Sequence, residues 1–158
     1  EFLVTGVLGD DGDYRGIVAS LEHRHFLELA RGLILAHRAV VDAALGDLPF
    51  YEELELGGSS TVRGLASSHD RGEGRFLGGV ELRWQGLRLH TGQNVLLGVV
   101  GFADAGQIFP LDDGPDLADW RSGIGCGLRL HWQSTIVRAD YGASGSRRAL
   151  YITFGQVY

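Results

Sequence analysis

The dominant pattern along the chain is an alternation, with period two, between apolar positions and positions that are polar or glycine. It is clearest where Ile124, Cys126, Leu128, Leu130 and Trp132 interleave with Gly123, Gly125, Gly127, Arg129, His131 and Gln133. Successive side chains of a strand point to opposite faces, so this segment has one apolar face ending in Trp and one face of glycine and polar groups. The stretch from Arg75 to Gln85 repeats the arrangement. Phe76, Val80, Leu82 and Trp84 share one face; Arg75, Glu81, Arg83 and Gln85 share the other. At the end of the chain, Leu150, Ile152, Phe154 and Tyr158 oppose Tyr151, Thr153, Gly155 and Val157. Such segments predict about eight strands, near residues 2–8, 14–26, 33–44, 75–86, 95–107, 121–133, 135–143 and 149–158. Most approach the ~9–11 residues with which a tilted strand crosses a bilayer.

The connections add to this. Asp10 to Asp13 and Ser144 to Ser146 read as short turns, and Asp112 to Asp116 as an acidic loop. The insertion from about Leu45 to Gly74 shows no alternation of its own. A connection that long inside a compact domain is usually functional. With both termini on the periplasmic side, the insertion and the other three loops fall outside the cell, and Trp and Tyr at strand ends form interfacial girdles. Two architectures fit the alternation equally: a transmembrane antiparallel up-and-down β-barrel with its apolar face in lipid, and a soluble eight-stranded barrel with its apolar face inward. Trp84 and Trp132, at strand ends on the apolar face, favour the membrane reading.

Composition narrows the choice. The 158 residues are 44% hydrophobic and 22% charged, which is the balance of a folded chain, and the length suits one domain, 1–158. The net charge of -6, without a Lys/Arg cluster, argues against a nucleic-acid partner. Gly is abundant at 25 residues against 3 Pro, as tight turns and close strand approach require. Mean hydropathy is +0.02, and no apolar run approaches the ~20 residues of a membrane helix. Membrane strands average to such values because lipid-facing and lumen-facing residues alternate. The lone Cys126 excludes an intrachain disulfide and a multi-cysteine zinc site. On the apolar face it would be inert. The chain starts at Glu1 and contains no Met, so removal of a leader or an upstream domain is expected.

Several motifs occur in a specific order. The insertion carries Gly57, Gly58, then Val62-Arg63-Gly64-Leu65, preceded by Leu48 to Glu52. Gly79 to Arg83 follows, then Phe102-Ala103-Asp104-Ala105-Gly106, Gly123 to Arg129, Val137 to Gly142, and a terminal strand with Ile152, Phe154, Gly155 and Tyr158. Together they resemble the C-terminal half of the barrel of the BamA-type assembly and translocation family of bacterial surface antigens. The resemblance covers nearly the whole chain, with Leu65 standing where the family has an aromatic residue. It implies an outer-membrane barrel, the last eight strands of a usually sixteen-stranded one, with the long loop folded into the lumen and a C-terminal targeting strand. It also implies a non-enzymatic role in the assembly or passage of polypeptides, with membrane lipid and unfolded outer-membrane proteins as partners. A weak seam between first and last strands would add an incoming strand by edge pairing. Alternatives are a membrane anchor for a fused or partner periplasmic domain such as a lipase, and a small passive channel. Homo-oligomers, including two half-barrels joined at their edges, are a further possibility.

The residues themselves support a loop-to-wall contact. Asp104 shares a strand face with Gly98, Val100 and Gly106, and Glu81 and Arg83 lie on the matching face of the strand before it. Arg63 sits at a glycine-flanked loop tip, from which a guanidinium folded into the lumen would pair bidentately with Asp104, with Glu81 as second choice. The resemblance implies the same pairing in relatives. The plainer alternative is a solvated Arg on a mobile loop. Other candidates carry less. His23 and His25, with Glu22 and Glu28, have the i, i+2 spacing of a shared face but no third metal ligand, and a strand end near the interface accounts for them. Ser59 and Ser60 lack the spacing of a nucleophile elbow. The glycines at 123–127 precede no helix that would cradle a phosphate. Asp112, Asp113 and Asp116 read as a solvated loop. No cofactor, metal site or catalytic group is expected.

Overall fold

The computed structural model describes residues 2–11, 14–90, 94–116, 118–132 and 135–155. Eight long strands form one antiparallel sheet: β1 (Phe2–Asp11), β2 (Tyr14–Ala30), β3 (Leu33–Asp47), β6 (Gly74–His90), β7 (Asn94–Phe109), β8 (Arg121–Trp132), β9 (Thr135–Ser144) and β10 (Arg147–Phe154). Neighbours pair in the order β1-β2-β3-β6-β7-β8-β9-β10, an up-and-down meander. Two short strands, β4 (Leu54–Leu56) and β5 (Asp70–Gly72), pair with each other inside the long insertion.

Several elements differ from the expectation. The insertion, read as lacking regular structure, holds the β4–β5 pair; three-residue strands are too short for alternation to register. β2 and β3 extend to Ala30 and Asp47, through charged residues that an apolar pattern does not mark. Asp10 and Asp11 pair within the β1–β2 ladder instead of lying in a turn. β10 runs from Arg147 to Phe154 and gives way at Gly155, whose φ of 87° leaves the extended region; Tyr158 lies outside the described residues. The sheet edges are β1 and β10, and no pairing joins them among the described residues, so the fold is shown as a sheet and not as a closed barrel.

The register sorts the side chains into two faces. One cross-strand row runs Leu33, Trp84, Val99, Leu128, Ala139, Ile152. It belongs to a bare face, on which Leu82, Ile124, Leu128, Leu150, Ile152 and Phe154 are all exposed, Phe154 to 76%. Cys126 is exposed on this face as well. The opposite face is covered by the insertion and carries nearly all the charge, yet its Glu81, Arg83, Asp104, Arg129, Arg138 and Asp140 are buried. On the bare face the His37 ring packs, tilted, against those of His23 and His25, with centroids 5.1 and 5.5 Å away, well inside β2 and β3. The strand-end placement expected for His23 and His25 is therefore wrong, because β2 continues to Ala30.

Candidate functional site

The insertion lies down on the sheet because its underside is apolar and its tip is glycine. Leu56, Val62 and Leu65 form a cluster with Val40 of β3 and Leu77 of β6, with Ile108 packed at its rim. Each such side chain contributes roughly 1.5–3 kcal/mol when fully removed from water. Leu65, at the position where an aromatic was the reference, is 5% exposed in this cluster, so an aliphatic residue fills the place. Further ties come from strand residues: Arg38 Nη1 donates to Ser60 O (3.1 Å), Arg75 Nη1 to Glu55 O (2.6 Å) and Arg121 Nε to Asp70 (3.0 Å).

The tip touches the wall backbone to backbone. Gly64 has a φ of 100°, and a Cβ there would come within 2.6 Å of the Ala143 carbonyl carbon, so only glycine fits on both counts. Opposite it, Gly123 and Gly142 lie flat under the Arg63 backbone, and a Cβ on Gly123 would overlap the Arg63 carbonyl oxygen. The Gly64 N–H donates to the Tyr151 hydroxyl (3.1 Å), which itself donates to Leu65 O (2.9 Å). The glycine face of β8 is thus a floor shaped for the loop.

Three cross-strand rows supply the charge around Arg63: Gly79, Asp104, Gly123; then Glu81, Phe102, Gly125, Gly142; then Arg83, Val100, Gly127, Asp140, Tyr151. The Arg63 side chain is 1% exposed. Its Nε and Nη2 donate to the two oxygens of Asp104 at 2.7 and 2.8 Å, a bidentate pair, and its backbone N–H donates to Asp104 Oδ2 at 3.2 Å. Nη1 donates to Glu81 Oε1 at 2.6 Å and lies 3.6 Å from Asp140. The guanidinium carbon stands 3.5 Å from the centroid of the Phe102 ring, a stacked cation–π contact. Glu81 also accepts from Arg83 Nε at 2.7 Å. Asp140 in turn accepts from Arg129 and, at 2.5 Å, from Arg138 Nη2.

The structure thus brings together Arg63, Asp104, Glu81, Val62, Gly64 and Phe102. Gly57 and Gly58, with φ of 112° and 99°, sit back from the tip, where the Gly57 N–H donates to Thr61 Oγ1 at 2.7 Å. Gly106 lies beneath Leu56 and Val62. Ile152, Phe154 and Gly155 are elsewhere, exposed on β10 or just after it. Arg138 and Asp140, quoted from the sequence only as part of the Val137 to Gly142 motif, and Tyr151, quoted only for its strand face, were given no role at the site. Their signal was present: all three fall on the polar positions of their strands, but polarity gave no reason to prefer them over other charged residues.

Comparison with known proteins gives one result beside this geometry. The family model described as "Omp85 superfamily domain" matches residues 4–153. No curated protein matches the chain.

Proposed function

The chain belongs to the Omp85 superfamily, and on that premise we propose that it acts in the bacterial outer membrane as a non-enzymatic β-barrel domain for the assembly or passage of polypeptides. The observation that carries the reading is the inverted distribution of polarity. Charged side chains are buried under the loop, while Trp84, Val99, Ile124, Leu128 and Ile152 lie exposed on the continuous bare face. Water penalises such a surface, whereas a hydrocarbon layer matches it. A soluble barrel would present the reverse arrangement. The loop, tied down through Arg63, speaks against a passive open channel. The open edges β1 and β10 offer unpaired backbone groups, either to each other, to further strands, or to an incoming client strand.

Oxygen dissolved in lipid should relax spin labels at Val80, Leu82, Ile124 and Leu128 in reconstituted protein, and should leave labels at Arg83 and Arg129 largely unaffected. The opposite pattern would reassign the chain to a soluble, inward-apolar barrel. Client handling has a separate readout. With Cys126 replaced by Ser, single cysteines along Arg147–Phe154 should form disulfides with a cysteine in the last strand of an unfolded outer-membrane protein, alternating with period two. Cross-links without that period, or none, would remove edge pairing from the proposal.

A further inference from the structure

Below the Arg63 contact, the next cross-strand row on the covered face reads Gln85, Gly98, Arg129, Arg138, Thr153. Three adjacent members of this row share a defect. Arg129 Nε, Arg138 Nε and Thr153 Oγ1 are each buried and have no hydrogen-bond partner among the described residues. The side chains of Arg129 and Arg138 are 3% and 5% exposed. An unpartnered buried donor is costly, more so on a charged group, and such groups are rare in native structures. Three on neighbouring strands are harder to attribute to chance.

Asp140 does not relieve them. It is the carboxylate shared by both guanidiniums: Oδ1 accepts from Arg129 Nη1, and Oδ2 accepts from Arg138 Nη2 at 2.5 Å and Arg129 Nη2 at 3.3 Å. Arg63 Nη1 lies 3.6 Å from the same Oδ2. A carboxylate offers about four lone-pair positions, so its capacity is nearly spent on the Nη atoms. What remains is an excess of positive charge beside three idle donors, two of which belong to guanidiniums already drawn together. Guanidinium forks and a hydroxyl are the groups that recognise phosphate and carboxylate oxygens.

We propose that Arg129, Arg138 and Thr153 form an oxyanion-binding site on the covered face, taking a small phosphate or carboxylate group. The site needs only β8, β9 and β10, and does not depend on barrel closure or on client handling. The test is a titration of the folded chain in zwitterionic detergent with inorganic phosphate, with ionic strength held constant by chloride, read as saturable heat and as a rise in melting temperature. Thr153→Val, which keeps the strand shape, should weaken binding about tenfold, as loss of one hydrogen bond to an anion would. Arg138→Gln, which leaves the Arg129–Asp140 pair in place, should abolish saturation. Should that variant not fold, Thr153→Val carries the test alone. Acetate in place of phosphate distinguishes the sources: saturation by acetate assigns the site to carboxylates, saturation by phosphate alone to phosphates. No saturable response to either anion would overturn the proposal. So would an unchanged response in Thr153→Val and every folded arginine variant.

Discussion

Arg63→Ala is expected to destabilise the fold by roughly 3–5 kcal/mol, the range for removing one partner of a buried ion pair. The geometry says why the loss is large and where it falls. Among the described residues, Asp104 holds its position on the covered face with three donors, all from Arg63: Nε, Nη2 and the backbone N–H. Truncation removes two of them and leaves a carboxylate that is 3% exposed. Glu81 loses Nη1 but keeps Arg83 at 2.7 Å. Asp104→Ala should therefore fall toward the lower end of the same range, since Arg63 retains Glu81, and Glu81→Ala should be milder still. The double variant Arg63→Ala with Asp104→Ala should be less damaged than the two losses added together, by about 0.5–3 kcal/mol of coupling. Chemical unfolding of the four members of the cycle measures it. Strict additivity would mean that the pair stores no mutual stabilisation. The loop would then be held by its apolar underside alone.

How legible this was in the sequence differs from element to element. The strands were readable because period two is a direct consequence of the pleat, and a run such as Ile124 to Trp132 has no competing interpretation. The faces were readable for the same reason: Asp104, Glu81 and Arg83 share a face as soon as strand parity is fixed. The partner of Arg63 was legible only through the order of motifs, Gly57-Gly58 and Val62-Arg63-Gly64 ahead of Phe102-Ala103-Asp104-Ala105-Gly106, because an isolated Arg at a glycine-flanked tip fits a solvated loop equally well. Whether the apolar face is lipid-facing or inward-facing did not follow from alternation, because both have the same sequence pattern; only Trp84 and Trp132 at strand ends favoured lipid. Elements fixed by pairing were also hidden. The β4–β5 ladder spans three residues a side, below any period, and the extension of β2 past His25 depends on the cross-strand partners that β3 provides. Asp140 escaped because its role depends on register: only when β9 is set against β8 does it fall between Arg129 and Arg138, one row from Glu81. Nothing local to Arg138-Ala139-Asp140 marks that meeting.

The second large effect is expected at Leu128. It lies on the bare face between Val99 of β7 and Ala139 of β9, and is 63% exposed. On a water-facing sheet, Leu128→Arg would change stability by no more than ~0.5 kcal/mol, since it removes exposed apolar surface and strands no partner. In a bilayer the same change places a guanidinium against hydrocarbon, at a cost of about 2–4 kcal/mol near the midplane, falling to ~0–1 kcal/mol near the headgroups. The depth dependence supplies its own control. Trp132 occupies the same face of the same strand at its end, beside Thr135, where a lipid headgroup would be in reach. Trp132→Arg should accordingly cost less than Leu128→Arg, even though it removes the larger apolar side chain. Denaturant unfolding from vesicles, with slopes checked for constancy so that midpoint shifts report stability, gives both numbers. A Leu128→Arg variant as stable as the parent would place the bare face against water or protein. A large loss at both positions would point to a packed protein interface, because an interface has no gradient with depth.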